Sequence, residues 1–484
     1  MLNKMISVND IEFNNLEKKI FEIGCEYARK TMKELLTKID DEIAKCRDKT
    51  IYRHKGKRKT TIKTLMGEVE FERAVYKTKG KNGETQHIYL LDKIINLETF
   101  GKVSSNLAIK IAENASISSY RNTAKNITDL TGQSISHGGA WNIIQTLGET
   151  IKKEEDEYKK ALESGKIIGK KETKVLFEEA DGVYINIQGK DRPKKAKKLE
   201  MKLAVAYDGW TENSNGRYEL RNKVTVAGFD KAKDFQKRKE GIIASKYNID
   251  EIEIRILNGD GAPWIKNGVT DDITHYQLDQ FHLQREITRK VRDKEQRKKI
   301  QKLLSEKKTE KLIEYIKEIY IDAEDEKEKI KLKELYNYLC GNKEGLIPYT
   351  KRGLTIPNPP EGVTYRLLGT MEHHICDIIT QRMKHRKASW SIKGGENLAK
   401  VLTAKVNQTL YGTITRISNI ILPDKYSNII IETLSAAKAP KKEGKGYRYP
   451  KTGGIPFIDT YVTNGRTVIK NIVRERDFSN ISYI

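Results

Sequence analysis

The stretch KVLFEEADGVYINIQ, residues 174–188, decides the fold class. The positions that alternate with Asp181 include five apolar residues: Val175, Phe177, Val183, Ile185 and Ile187. This alternation is typical of a β-strand with one buried face. An ionised carboxylate on a buried face is costly unless a cation compensates it. The sequence therefore predicts a buried strand on which Asp181 has a special role.

Further strands and a helix follow this stretch. KLAVAYDGW (202–210) and NKVTVAGF (222–229) read as strands, 231–247 as a helix, and IEIRILNGD (252–260) and THYQLDQFH (274–282) as strands again. Residues 283–340 are charged and helical, 347–360 form a proline-rich loop, and helices follow at about 369–386 and from about 395. Strands that alternate with helices predict an α/β domain with a mixed sheet.

The remaining sequence suggests flanking regions, with a helix over 8–46 and a β-hairpin joined near Gly67 before the sheet. We divide the chain into seven segments: a helical region (1–50), a basic β-hairpin region (51–100), a helix-turn-helix domain (101–165), the first part of a catalytic domain (166–282), a helical insertion (283–360), the last part of the catalytic domain (361–421) and a basic C-terminal appendage (422–484).

The charge of the chain points to a polyanionic partner. Lys and Arg number 91 against 67 Asp and Glu, which gives a net charge of +24. Such an excess neutralises phosphates and favours double-stranded DNA. No apolar run approaches the ~20 residues that span a bilayer, and the first residues lack the apolar core of a signal peptide. We expect a cytoplasmic, nucleoid-associated protein that does not bind membranes. Its four scattered cysteines argue against a disulfide scaffold or a zinc ribbon.

Residues 119–147 have the pattern of a helix-turn-helix. A first helix carries Ala124, Ile127 and Leu130, a turn follows at Thr131-Gly132, and a second helix carries Trp141, Ile144 and Leu147. An ordinary helical hairpin explains the spacing equally well, and the positive charge favours DNA. If the second helix enters a major groove, the candidates to face bases are Gln133, Ser134, Ser136 and His137.

Two basic runs are candidates for contact with the DNA backbone. The first spans 53–59 and contains Arg53, Lys55, Lys57 and Arg58. The second is a predicted loop at 190–198 that contains Lys194 and Lys195. Charge runs are also common as solvated surface, and that alternative stays open for both.

Three acids share the predicted α/β unit. Asp260 follows the strand 252–258, at the kind of strand end where α/β sheets bind ligands. Glu372 is expected on a helix face with Ile375, Cys376, Ile379 and Met383. Each acid alone fits a salt-bridged or edge position. Together with Asp181, they suggest hard oxygen ligands for Mg²⁺ or Mn²⁺, with two ions clamping a phosphodiester.

Glu396 is a rival third acid. Its helical neighbours Ala399, Lys400 and Thr403 indicate a more solvated face than that of Glu372, so we prefer Glu372.

Four blocks also resemble a known family: EADGVYI (179–185), GDGAPW (259–264), LDQFH (278–282) and GTMEHHICDIITQRMK (369–384). In this order they are similar to blocks of bacterial insertion-sequence transposases of the ISLre-two type, relatives of the Mutator-like transposases. The resemblance covers most of the chain, including the hairpin sequence TLMGEV (64–69). It implies a ribonuclease H-like fold with a helical insertion, and a metal-binding Asp-Asp-Glu triad at Asp181, Asp260 and Glu372. Asp279 and His282 match the Asp-x-x-His element of Mutator-like enzymes, in which His282 contacts a phosphate, orients a carboxylate or is simply a structural histidine at a strand end.

The sequence thus leads us to expect a DNA transposase. It would bind terminal inverted repeats, cut at the element's ends with Mg²⁺ or Mn²⁺, join the freed 3′-hydroxyl to target DNA, and act as a homo-oligomer because two ends must be joined. Two alternatives stay open. One is a non-catalytic DNA-binding protein derived from a transposase, and the other is a ribonuclease H-like nuclease without strand transfer.

Overall fold

The computed structural model describes residues 12–80, 82–95, 97, 100–132, 134–190, 192 and 197–417. The predicted C-terminal appendage (422–484) lies outside these residues, as do Gln133, Lys194 and Lys195. Everything that is described belongs to one compact unit.

The N-terminal part pairs a long helix with a three-stranded antiparallel sheet. Its elements are α1 (Phe13–Cys46), β1 (Arg53–Thr64), β2 (Gly67–Lys79), β3 (Thr85–Ile88) and α2 (Leu90–Ile94), with the strands in the order β1-β2-β3. Apolar residues of α1, β2 and α2, among them Ile39, Phe71 and Leu91, close a small core. The hairpin predicted near Gly67 is present, because β1 ends at Thr64 and β2 begins at Gly67.

Three helices follow: α3 (Ser105–Ala115), α4 (Tyr120–Thr131) and α5 (His137–Glu163). Gly132 ends α4 in the left-handed conformation, with φ of +66°, which glycine adopts without steric cost. Helix α5 packs against later helices so closely that a Cβ on Gly148 would lie 2.4 Å from Asn397.

A five-stranded mixed sheet forms the centre of the molecule. Its strands are β4 (Val175–Asn186), β5 (Lys198–Tyr207), β8 (Val224–Gly228), β9 (Ile254–Gly259) and β10 (Thr274–Leu278), in the spatial order β10-β9-β4-β5-β8. A small ribbon of β6 (Trp210–Glu212) and β7 (Tyr218–Leu220) lies between β5 and β8 in sequence. Strand β5 is antiparallel to both of its neighbours, β4 and β8, whereas β9 runs parallel to β4 and β10 runs parallel to β9. The prediction of a mixed α/β sheet is confirmed.

Ten helices complete the described chain: α6 (Ala232–Lys246), α7 (Pro263–Lys266), α8 (Gln280–Lys290), α9 (Lys294–Ser305), α10 (Thr309–Ile321), α11 (Glu326–Gly341), α12 (Met371–His374), α13 (Gln381–Met383), α14 (Ile392–Val406) and α15 (Leu410–Ile417). A π-helical segment, Ile375–Thr380, joins α12 to α13. The strand-free block predicted after residue 282 corresponds to α8–α11.

Side chains alternate between the two faces of β4, and each face packs into a separate hydrophobic core. Odd-numbered residues such as Phe177 and Val183 pack with α3–α5 and with the helices after residue 370. Even-numbered residues such as Leu176 and Ala180 pack with α6 and α8–α11. Asp181 therefore lies on the face that α12 and its neighbours cover. No helix in the described part of the chain is both long enough and apolar enough to cross a membrane.

Candidate active site

The sheet places two of the predicted acids on neighbouring strands. Strand β4 pairs with β9 in parallel, with Ala180 opposite Gly259. Asp181 and Asp260 are the next residues on the two chains, so the register of the sheet brings them to the same level. The side chain of Asp260 accepts a hydrogen bond from the backbone N–H of Ala262 at 2.9 Å, which fixes it at the strand end.

Asp181 is buried, and no lysine or arginine side chain of the described residues neutralises its carboxylate. Its Oδ1 accepts from the backbone N–H of Gly182 at 2.6 Å, and its Oδ2 lies 3.6 Å from Nε2 of His282. Among the described residues, no Lys or Arg forms an ion pair with it. Burial, and then the negative charges of Asp260 and Glu372, raise the pKa of Asp181 to about 7. The strand prediction is correct here: an acid does lie on the buried face.

His282 lies in the first turn of α8, and not at a strand end as predicted. Strand β10 stops at Leu278, and Asp279 caps the helix by accepting from the backbone N–H of His282 at 3.1 Å. The other carboxylate oxygen of Asp279 accepts from the Asn258 amide at 2.8 Å. The Asp-x-x-His element thus consists of the N-cap of a helix and the third residue of that helix.

The tautomer of His282 follows from its second contact. Nη2 of Arg285 lies 3.2 Å from Nδ1 of His282, and a guanidinium only donates. Nδ1 is therefore the acceptor, and a neutral ring carries its proton on Nε2, toward Asp181. In this arrangement His282 is a hydrogen-bond donor to a carboxylate or a phosphate, and it binds a metal only if Arg285 moves away.

Glu372 reaches the same place from α12. One carboxylate oxygen each of Glu372 and Asp181, and a ring nitrogen of His282, all lie within 4.8 Å of one another. Three residues of the predicted apolar face, Ile375, Ile379 and Met383, are buried as expected, but Glu372 and Cys376 are exposed. The buried stripe also includes Met371, His374, Ile378 and Arg382 and runs through the π-helical segment, so Glu372 lies beside the stripe and not within it.

Glu396 lies in a buried network away from this group. It is 5% exposed, and the predicted solvated face is also wrong, because Ala399, Lys400 and Thr403 are buried. One oxygen of Glu396 accepts from the backbone N–H of Phe229 at 2.7 Å. The other lies 3.8 Å from the ammonium of Lys400. The position of Glu372 near Asp181 therefore favours Glu372 as the third acid. The burial expected from the sequence was wrong for both residues, because Glu396 is buried and Glu372 is exposed.

Glu179 is a residue that the sequence analysis missed. Its side chain is 0% exposed, and it lies on the same face of β4 as Asp181. One oxygen accepts from the hydroxyls of Tyr207 and Thr370, both at 2.6 Å. The other accepts from the backbone N–H groups of Gly369 and Thr370, both at 2.9 Å, and from Asn258 at 3.2 Å.

This bonding ties the chain before α12 to the sheet, and thereby places Glu372 opposite Asp181. The signal in the sequence was the alternation itself, because Glu179 precedes Asp181 by two residues.

The DNA-binding candidates occupy exposed positions. Arg53, Lys55, Lys57 and Arg58 lie in the exposed half of β1. Ser134 and Ser136 precede the second helix and are not part of it, since α5 begins at His137 and Ser136 caps it by accepting from the N–H of Gly139.

Two apolar positions of the predicted helix-turn-helix face solvent. Leu130 is 70% and Trp141 is 42% exposed, whereas Ile127, Ile144 and Leu147 are buried as expected. Helices α3–α5 share their core with the central sheet. The first turn of α5, with His137, is the part that remains accessible.

The donor set suits a divalent cation. Asp181, Asp260 and Glu372 supply carboxylate oxygens, the ligands that Mg²⁺ and Mn²⁺ prefer. Burial first, and then the neighbouring acids, raise the pKa of Asp181, and a bound cation would act against both causes. These residues therefore fit a metal-binding role.

Known proteins are similar in sequence to this chain over most of its length. The profile of the uncharacterised protein family UPF0236 matches residues 6–417. A UPF0236 protein of Caldanaerobacter subterraneus subsp. tengcongensis is 27% identical over 408 residues, covering 83% of this chain and 78% of the relative. Another from that organism, whose name combines eleven locus tags, is 26% identical over 401 residues, with coverage of 81% and 78%. One from Streptococcus gallolyticus, named for the vanSb 3′ region, is 26% identical over 359 residues, with coverage of 71% and 72%.

Proposed function

The chain belongs to the UPF0236 family, and we propose that it is a DNA transposase that cuts and joins DNA strands with the help of divalent metal ions. The observation that carries this proposal is the convergence of Asp181, Glu372 and His282 beside Asp260, where no Lys or Arg of the described ranges forms an ion pair with the buried Asp181. Strongly perturbed acids in a cluster are typical of functional sites.

The sheet supports this proposal. Three antiparallel strands, β4, β5 and β8, are followed in sequence by β9 and β10, which run parallel to β4 on its other side. A ribonuclease H-like sheet, which the transposase resemblance implies, would have its strands in this order and in these directions. Helices cover both faces of the sheet, and α8–α11 occupy the position of the helical insertion.

The side chains then have distinct tasks. Asp181, Asp260 and Glu372 would hold the ions, and His282 directs its Nε2–H toward the carboxylate or the phosphate. Bound Mg²⁺ lowers the pKa of water and stabilises the attacking and leaving oxygens of a phosphodiester. Asp279 holds the first turn of α8, and Glu179 holds the start of α12, so the site is fixed from two sides.

The copy number of the relatives also supports a mobile element. A single protein name in one Caldanaerobacter genome combines eleven locus tags, and a second combines four. An element that copies or moves its own gene leaves near-identical genes at many loci. A DNA-binding protein with one regulatory task has no such need.

The direct test uses a plasmid that carries the coding region with its natural flanks. We expect the full-length protein to cut at the ends of the element with Mg²⁺ and to join them to target DNA. Asp181→Asn and Glu372→Gln should abolish cutting but keep DNA binding. The matched control Asp377→Asn removes an exposed acid from the next turn of the same helix, where it pairs with His373 at 2.9 Å, and should cut normally.

The outcomes separate the alternatives. Cutting without joining would favour a nuclease, and binding without cutting in the wild-type protein would favour a non-catalytic DNA-binding protein. Cutting that survives in Asp181→Asn would refute the assigned site.

A further inference from the structure

A cavity lies beside α12, and its lining contains none of the acid cluster, by which we mean Asp181, Asp260 and Glu372. It has a volume of about 590 Å³ and is bounded by the β6–β7 ribbon, the ends of α6 and α14, and the start of α12. Its polar lining includes Lys223, Lys246, Thr370, His373 and His374, together with one carboxylate, Glu219. Thr370 connects it to the acid cluster, because Glu372 follows two residues later.

Two lysines give this cavity its charge. Lys223 and Lys246 are half-buried, and neither forms an ion pair within the described ranges. The ammonium of Lys246 donates to the backbone oxygen of Lys223 at 3.1 Å. Burial lowers the pKa of both side chains. The negative charges of Asp377 and Glu219 act on Lys223, and that of Asp208 acts on Lys246. None of these acids forms an ion pair with either lysine among the described residues, so both partly desolvated ammonium groups can still bind an anion in the cavity.

A buried histidine points to the same chemistry. His374 is 6% exposed, and its Nε2 has no hydrogen-bond partner among the described residues. A buried polar atom without a partner costs about 1–3 kcal/mol, so native proteins usually satisfy it. An anion with several oxygens would accept from the imidazole and from both ammonium groups at once.

We propose that this cavity binds a phosphate group of the DNA strand that reaches the acid cluster. The inference rests on the proposed function for the source of the phosphate. A strand held at Glu372 passes the start of α12, where Thr370 and His374 line the cavity. Contact with a phosphate fixes the position of a strand without reading its sequence. The cavity therefore positions the strand and does not select it.

The test compares phosphate binding by matched variants of the full-length protein in EDTA, where no strand is cut. Lys223→Gln/Lys246→Gln removes the two cations of the cavity, and Lys233→Gln removes an exposed cation from the first turn of α6. Calorimetry with inorganic phosphate should show at least tenfold weaker binding for the double variant and no change for Lys233→Gln. Equal affinity in wild type and double variant, or no phosphate binding by the wild type, would overturn the proposal.

A labelled single-stranded oligonucleotide identifies the source of the phosphate. Its fluorescence anisotropy should show binding at least fivefold weaker in the double variant and nearly unchanged in Lys233→Gln. If phosphate binding is lost but oligonucleotide binding is not, the cavity holds a free anion and the assignment to DNA is wrong. His374→Leu provides a variant without a lysine change and should weaken both ligands.

The experiments give different results if the phosphate site is wrong and if the proposed function is wrong. A wild-type protein that never cuts DNA, while its lysine variants lose phosphate and oligonucleotide, would refute the transposase and keep the cavity. A protein that cuts in a manner dependent on Asp181, while the lysine variants bind both ligands normally, would refute the cavity alone.

Discussion

Asp181 and Glu178 lie three residues apart on the same strand, but their surroundings are opposite. Glu178 is 2% exposed on the even-numbered face, where Nε of Arg255 donates to it at 2.7 Å and the ammonium of Lys239 also contacts it. Asp181 faces the other core, where its neighbours are further acids and one histidine. One strand thus carries a neutralised acid on one face and an uncompensated acid on the other.

The pKa values express the same contrast. Although burial acts in the opposite direction, Lys239 and Arg255 lower the pKa of Glu240, the second acid of the Glu178 network, to about 2. Burial and neighbouring acids raise that of Asp181 to about 7. Asp181 also differs from Glu179, whose two carboxylate oxygens both accept hydrogen bonds from neutral donors, because the neighbours of Asp181 include further acids. We take the first arrangement as structural and the second as functional.

The largest effect should come from breaking the neutralised network. Glu178→Gln leaves Arg255 and Lys239 buried with one acid fewer, and loss of one partner from a buried pair costs about 3–5 kcal/mol. Urea unfolding should show this loss. Glu253→Gln removes an acid from an exposed pair with Lys174 at 2.8 Å, and should cost less than about 1 kcal/mol. Equal stability of the two variants would remove the basis for the comparison.

Replacing Asp181 should raise the stability of the fold, whereas replacing Glu178 should lower it. The folded pKa of Asp181, about 7, lies above its ordinary value of 3.8. The native state therefore binds the extra proton between about pH 4 and 7, and the ionised carboxylate costs stability above that window. In EDTA at pH 8, Asp181→Asn should raise the free energy of unfolding by about 2–4 kcal/mol.

The gain should shrink as the pH falls below 7 and should vanish below about pH 3, where the wild-type carboxyl is neutral in both states. Saturating Mg²⁺ should also reduce it, because the ion stabilises only the wild type. A variant that is no more stable than wild type at pH 8 would contradict an uncompensated Asp181.

Regular periodicity made part of this account predictable. The period-two alternation of β4 is local, so the buried face of Asp181 could be read from the sequence. The helix around Glu372 was predicted only in part, because the spacing alone did not show that the apolar stripe passes beside Glu372 and leaves this residue exposed. Glu396 shows the same limit, since its apparently solvated face is covered by distant elements that include Phe229.

Glu179 shows what a sequence pattern leaves out. Its role depends on Gly369 and Thr370, which are about 190 residues away in the chain. A long-range contact of this kind produces no local spacing. The pattern marked Glu179 as buried, but it did not indicate what the carboxylate holds.

A medium effect should follow from replacing Glu179, the buried acid whose partners are neutral donors. In Glu179→Gln, the hydroxyls of Tyr207 and Thr370 can turn to accept from the new amide, so we expect Mn²⁺ affinity within about threefold of wild type. Glu179→Ala leaves the N–H groups before α12 unpaired, at a cost of about 1–3 kcal/mol. It should weaken Mn²⁺ binding about tenfold. Similar Mn²⁺ affinities for the two variants would mean that Glu179 does not position Glu372.

The smallest effect concerns charge on the surface of β1. Lys59 pairs with Glu70 at 2.9 Å, whereas Lys55 and Arg58 form no ion pair within the described residues. If these free cations contact DNA phosphates, Lys55→Gln and Arg58→Gln should each reduce the slope of log affinity against log salt by about 0.9. Lys59→Gln should change it less, because its charge is already partly neutralised. Identical slopes for all three variants would exclude β1 from the DNA interface.

The central claim is that the uncompensated acids bind metal ions, and calorimetric titration of Mn²⁺ into the full-length protein at pH 8 tests it most directly. We expect two ions per wild-type chain, loss of binding in Asp181→Asn, and unchanged binding in Asp377→Asn. A wild-type protein that binds no Mn²⁺, or an Asp181→Asn variant that binds it as the wild type does, would contradict the claim.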